Sequence, residues 1–165
     1  MEEQNQPAPD LRFRLASPED APQLIPMINR AFAVEEFMGG TRTDATRLAN
    51  AMGKGKILMA EDAEGRPVGS LFMEFRAQRG YMGMLAVEPE AQRMGIARKL
   101  AAEAEERFRK AGLGRVEIIV LNMRPELLPV YRRWGFAVSG TVEFDPLRPV
   151  QAGVEIHGIR MEKQL

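Results

Sequence analysis

A short apolar run, a glycine turn and a helix follow one another over residues 81–100, and that stretch constrains the fold more than any other. Residues 81–87 (YMGMLAV) form an apolar segment bounded by turn residues, the pattern of a buried strand. From Ile96 onward, apolar residues recur every fourth position at Leu100, Ala104 and Phe108, one face of a helix. Pro89 opens the connection and Gly95 stands at the helix mouth. A helix start leaves several backbone N–H groups unpartnered and carries partial positive charge. Open amides beside a residue without a side chain make an anion site, and phosphate is its usual guest.

The flanking chain supplies a mixed sheet. Residues 1–9 are polar and read as a flexible tail, leaving 10–165 as one domain. Leu11 to Leu15 alternates as a strand. Ser17, Pro18, Glu19 and Asp20 then open a helix expected to reach about Ala33, with Pro22 and Pro26 threatening a kink. Residues 34–43 read as a mobile loop before a short helix over 44–52. Strands at 56–61 and 67–78 join through a hairpin turn at residues 62–66, and Gly80 turns the chain into the run at 81–87. The long helix is expected over 93–110. Residues 115–121 are apolar on both faces, as a strand reached by a crossover helix and parallel to its predecessor should be. A short helix over 125–134 and strands at 136–143 and 154–161 close the chain, which is thus an α/β (α+β) domain.

Composition removes whole classes of chemistry. The chain has no cysteine and one histidine, which excludes thiol catalysis and zinc–thiolate sites and leaves no histidine cluster for a metal. Lysine plus arginine and aspartate plus glutamate each total 23, so there is no basic footprint for nucleic acid. No apolar run approaches the ~20 residues that span a membrane, and the start carries no signal-peptide pattern. The expectation is a cytoplasmic protein.

Two motifs in this order resemble the GCN5-related N-acetyltransferases. Gln92-Arg93-Met94-Gly95-Ile96-Ala97 is similar to that family's pyrophosphate loop, Gln/Arg-x-x-Gly-x-Gly/Ala, with Ala97 in place of a second glycine. Tyr131-Arg132-Arg133-Trp134-Gly135-Phe136 resembles its late Tyr-x-x-x-Gly-Phe motif. The resemblance implies a mostly antiparallel seven-stranded sheet flanked by about four helices and splayed between the fourth and fifth strands. It implies acetyl-CoA as cosubstrate, no metal, and direct attack by a primary amine in a ternary complex. Gln92, Arg93, Met94, Gly95, Ile96, Ala97 and Arg98 would then hold the pyrophosphate. Leu85, Ala86 and Val87 would bind the pantetheine arm through main chain, and Asn122 would offer it a side-chain amide. Tyr131 would meet the departing thiolate.

A lysine-like amine, with a pKa of ~10.4, is only about one part in a few thousand neutral at pH 7, so a base is expected. Glu74, on the strand before the central one, and Glu35, in the loop after the first helix, are the candidates. The acceptor is left open between a small-molecule amine and a protein or peptide amine, and a homodimer is neither required nor excluded. The competing reading is a non-catalytic acyl-CoA-sensing or partner-binding module on the same fold.

Overall fold

The computed structural model describes residues 10–165; the tail read at 1–9 lies outside them. All seven strands join one sheet: β1 (Arg12–Leu15), β2 (Lys56–Glu61), β3 (Pro67–Phe75), β4 (Gly80–Val87), β5 (Arg115–Leu121), β6 (Ala137–Glu143) and β7 (His157–Gln164). Their spatial order is β1-β2-β3-β4-β5-β7-β6. Every neighbouring pair is antiparallel except β4 and β5. The parallel exception follows from the crossover helix between them. This is the mixed, mostly antiparallel seven-stranded sheet that the family resemblance implies.

Helix α3 (Ile96–Lys110) covers one face. Its Ile96, Leu100, Ala101, Ala104 and Phe108 are buried against strand residues that include Leu71, Met73, Met82, Val116 and Ile118. Each large apolar side chain so buried contributes about 1.5–3 kcal/mol. The helix sits close because glycine lies beneath it. A Cβ at Gly80 would fall 2.6 Å from the Phe108 ring. Gly80→Ala is therefore expected to destabilise the fold by about 1–3 kcal/mol through overpacking, read as a lower urea midpoint; an unchanged midpoint would show that the ring has room to move.

Helices α1 (Ala21–Ala31) and α2 (Ala45–Lys54) cover the other face, with Leu24, Met27, Ile28 and Leu48 packed on Ile57, Met59 and Ala86. The expected kink does not end α1: Pro26 lies inside a helix that runs to Ala31. Residues 18–20 form a separate 3-10 turn, where the Ser17 N–H donates to Asp20 Oδ2 at 2.8 Å. Asp44 caps α2 by accepting from the Arg47 N–H at 2.8 Å. Helix α4 (Leu127–Arg133) follows β5.

One irregularity shapes everything downstream. Ser70 and Phe72 of β3 pair with Ala86 and Gly83 of β4, so β4 carries an extra residue there. Met84 takes a φ of +48°, in the left-handed region. Such a bulge bends its strand and re-aims the side chains beyond it. Pairing of β4 with β5 stops at Met82 and Ile118, just before the bulge. The two strands then diverge.

Candidate active site

The turn before α3 presents a run of open backbone amides. Arg93 and Gly95 both adopt positive φ, +67° and +77°, which swings the chain into the helix. These two residues explain why α3 begins at Ile96 and not at 93. The backbone N–H groups of residues 93–98 make no hydrogen bond to an acceptor among the described residues. A Cβ at Gly95 would meet no protein atom within 4 Å, so glycine is required there by its backbone and the space beside it is open. Gln92 braces the other side, its Nε2 donating to the Val87 carbonyl at 3.3 Å.

Beside this turn a cavity of about 510 Å³ lies in the gap between β4 and β5. Gln92 and Ala97 line it beside the turn, Leu85, Val87 and Tyr131 line it along the gap, and Tyr81, Arg42 and Glu35 belong to the same wall. Beyond Met82 the edge of β4 that faces β5 has no strand beside it. Backbone groups on such an edge accept an extended, amide-bearing chain as they would an added strand.

Tyr131 is packed edge-on against Trp134 and Phe136, with ring centroids 5.1 and 5.8 Å away. Its ring is fixed by these neighbours, while its hydroxyl has no hydrogen-bond partner among the described residues. Burial pushes that hydroxyl up to about 12, only partly offset by the positive charge of Arg124. Burial thus favours the protonated hydroxyl, which can donate a hydrogen bond into the site. Tyr81, across the cavity, is pushed up by the same cause.

The part of the cavity beside Glu35 and Arg42 is roofed by residues 34–43 and 144–150. The first of these reads from its sequence as a mobile loop, but in the structure it is tied down. Gly39 N–H donates to Pro149 O at 2.7 Å, and Gln151 N–H to Phe37 O at 2.9 Å. Glu35, only 5% exposed, joins the two segments to the end of β5. Its Oε1 accepts from Arg148 Nη1 at 3.0 Å and its Oε2 from Arg124 Nη1 at 3.1 Å. Arg148 also donates to the Gly39 carbonyl at 3.2 Å.

Other expected site residues lie elsewhere. Asn122 does not line the cavity. Its Nδ2 donates to Glu155 O at 3.0 Å and its Oδ1 accepts from the His157 N–H at 2.9 Å, so both ends of the amide hold the entry to β7. Glu74 is also absent from the cavity wall and pairs with Arg76 at 3.4 Å. The Arg98 guanidinium lies over Trp134, 5.6 Å from the ring centroid, and reaches Glu105 at 3.5 Å. Arg42, Arg124 and Arg148 were not anticipated as site residues. They belong to no motif, and only the fold brings them together.

A family model described as an acetyltransferase (GNAT) domain matches residues 21–163. Among solved structures, the ribosomal-protein-S18-alanine N-acetyltransferase of Escherichia coli superposes with a TM-score of 0.77 at 16% identity, covering 94% of each chain. The ribosomal-protein-alanine N-acetyltransferase of Brucella melitensis gives 0.72 at 22% identity, over 93% of this chain and 99% of that one. The yncA protein of Salmonella typhimurium, solved with its cofactor acetyl-CoA, gives 0.72 at 20% identity and covers 94% of each chain. At these identities the likeness establishes a shared fold. No curated protein matches the chain in sequence.

Proposed function

We propose that this chain, which belongs to the GNAT acetyltransferase family, transfers the acetyl group of acetyl-CoA to a primary amine held at the roofed end of the cavity. One observation carries this reading: a single cavity is lined by Gln92 and Ala97, which flank the open-amide turn, by the part of β4 beyond its pairing with β5, and by Tyr131. A pyrophosphate suits the turn, an amide-bearing arm suits the edge, and Tyr131 lines the same cavity as that edge. Acetyl-CoA, when bound, supplies an activated acetyl thioester for direct attack by the amine.

In this reading the amides of residues 93–98 hold the diphosphate, with Gly95 setting the turn. Leu85, Ala86 and Val87 bind the arm through main chain. Tyr131 donates a hydrogen bond to the sulfur as it leaves. Full proton transfer from a hydroxyl near 12 to a thiolate whose conjugate acid has a pKa of about 8.5 is uphill by roughly 5 kcal/mol. The role is therefore stabilisation of the thiolate, with solvent supplying the proton.

Glu35 has each oxygen committed to a guanidinium, so we assign it to organising the roof in preference to taking the amine's proton. Three guanidinium groups, Arg42, Arg124 and Arg148, line that end against the carboxylates of Glu35 and Asp145. Burial at this roofed, largely apolar end disfavours an ammonium and lowers the pKa of an amine bound there. The neutral fraction rises without a dedicated base, and the proton leaves to water.

Tyr131→Phe is expected to lower kcat at least tenfold, with the calorimetric Kd for CoA nearly unchanged. Because the hydroxyl stays protonated, the wild-type rate should climb with pH as the amine loses its proton and show no tyrosine-linked fall below about pH 10. Unchanged turnover in the phenylalanine variant would remove Tyr131 from the mechanism. Tight CoA binding with no thiol release against any amine, peptide or amino acid would instead mark an acyl-CoA-sensing module.

A further inference from the structure

The roofed end of the cavity holds one guanidinium, that of Arg42, with no side-chain partner among the described residues. Arg42 lines the cavity and makes no side-chain hydrogen bond or salt bridge among the described residues. The nearest buried acid, Glu35, is unavailable because Arg124 and Arg148 each occupy one of its oxygens. Arg42 instead lies over the Phe32 ring, 5.1 Å from the centroid. A half-buried cation without a counter-charge is costly unless a ligand supplies one.

The backbone that carries Arg42 is pinned. Arg47 Nη1 donates to the carbonyls of Thr41 and Arg42 at 2.8 and 3.1 Å. Asn29 brackets the next residue, accepting from the Thr43 N–H at 2.9 Å and donating to its carbonyl at 3.1 Å. The backbone under Arg42 is thus held in place before anything binds, and Phe32 packs beneath its guanidinium, which limits the ordering cost on binding. A guanidinium in such a position matches the two oxygens of a carboxylate.

The roof limits the size of what can enter. Residues 34–43 and 144–150 are joined by the Met38–Val150 bridge and by main-chain bonds on both sides of it. A polypeptide acceptor needs a groove that leads its chain outward, and the two tied segments narrow that end of the cavity. Apolar wall remains beside the cation, from Phe32, Met38 and Met84.

We propose that the acceptor is a small amine that itself carries a carboxylate, an amino acid in the broad sense, whose acid group is held by Arg42 while its amine faces the β4–β5 gap. This deepens the transferase reading and rests on it. The guanidinium fixes the molecule by its acid end and leaves the amine as the free end. The acid group also supplies the charge that the cavity lacks.

The test pairs each amino acid with its decarboxylated amine, for example methionine with 3-(methylthio)propylamine and phenylalanine with phenethylamine, in a thiol-release assay with acetyl-CoA. The acids should be at least tenfold better in kcat/KM, and Arg42→Met should remove that advantage while the Kd for acetyl-CoA holds. Arg42→Lys, which keeps the charge but not the fork, should fall between. Equal or better turnover of the plain amines, no change in Arg42→Met, or preference for a peptide bearing an acidic second residue over free amino acids would each overturn the proposal and leave the transferase reading standing. A second arm needs no turnover. With CoA present, calorimetry should find N-acetylmethionine bound at least tenfold tighter than its methylamide, and Arg42→Met should close the gap. That result with no transfer to any acceptor would keep the charge assignment and sink the transferase reading; equal binding of the two would sink the charge assignment.

Discussion

Replacing Glu35 with alanine is expected to cost about 3–5 kcal/mol of folding stability, the range for removing one partner of a buried ion pair. The carboxylate is 5% exposed and accepts from two arginines that are themselves largely buried. Without it, Arg148 keeps only the Gly39 carbonyl and Arg124 keeps only Glu126, whose side chain is 60% exposed. Arg42 adds a third positive charge to the same wall. The main loss is the uncompensated charge and not the missing atoms. Glu35→Gln preserves the volume and one acceptor, and should recover only a minor part of the stability. Formate or acetate should partly restore the alanine variant by entering the space vacated between the guanidiniums. Urea unfolding reads all three, and a loss below about 1 kcal/mol in the alanine variant would mean that the roof is held by its main-chain bonds alone.

The same cluster marks where reading the sequence stops. Local pattern was enough for the scaffold: a helix repeating every four residues from Ile96 to Phe108, an apolar strand at 115–121, and a glycine turn between them. These signals are carried by neighbours in the chain, and the structure reproduces them with small shifts at the ends. Helix α3 starts three residues later than expected because Arg93 and Gly95 take positive φ. Strand β7 starts at His157 and not at 154 because the chain first turns, with Gly153 at φ +81° and the Val154 N–H bonded to Gln151 O at 3.1 Å. The roof has no such local signature. Glu35 meets Arg124 across 89 positions and Arg148 across 113. Arginine in a proline-rich loop reads as solvated surface until topology places a carboxylate beneath it. Asn122 illustrates the converse: a side chain at the end of β5 can face the cavity or the next strand, and two backbone partners on the β7 side decide it.

Gly95→Glu is expected to weaken CoA binding by at least 100-fold, about 2.7 kcal/mol or more, for two separable reasons. The first is conformational. Gly95 sits at φ +77°, where any side chain except that of glycine is strained by about 1–2 kcal/mol. Part of that strain would be relieved by rotating the turn, which moves the open amides of residues 93–98 out of their common focus. The second is electrostatic. A carboxylate at the mouth of α3 would take the place of the diphosphate on those amides and repel it, at the end of the helix where negative charge is most favourably held. Gly95→Ala isolates the first effect, because its methyl group would meet no protein atom within 4 Å. It should fold normally and lose affinity by much less than the glutamate variant. Glutamate at this position should even stabilise the free protein relative to alanine, by about 0.3–1 kcal/mol, so stability and binding would move in opposite directions. Calorimetric titration with CoA alongside urea unfolding checks both halves, and equal CoA affinity in the alanine and glutamate variants would show that the turn does not hold the phosphates.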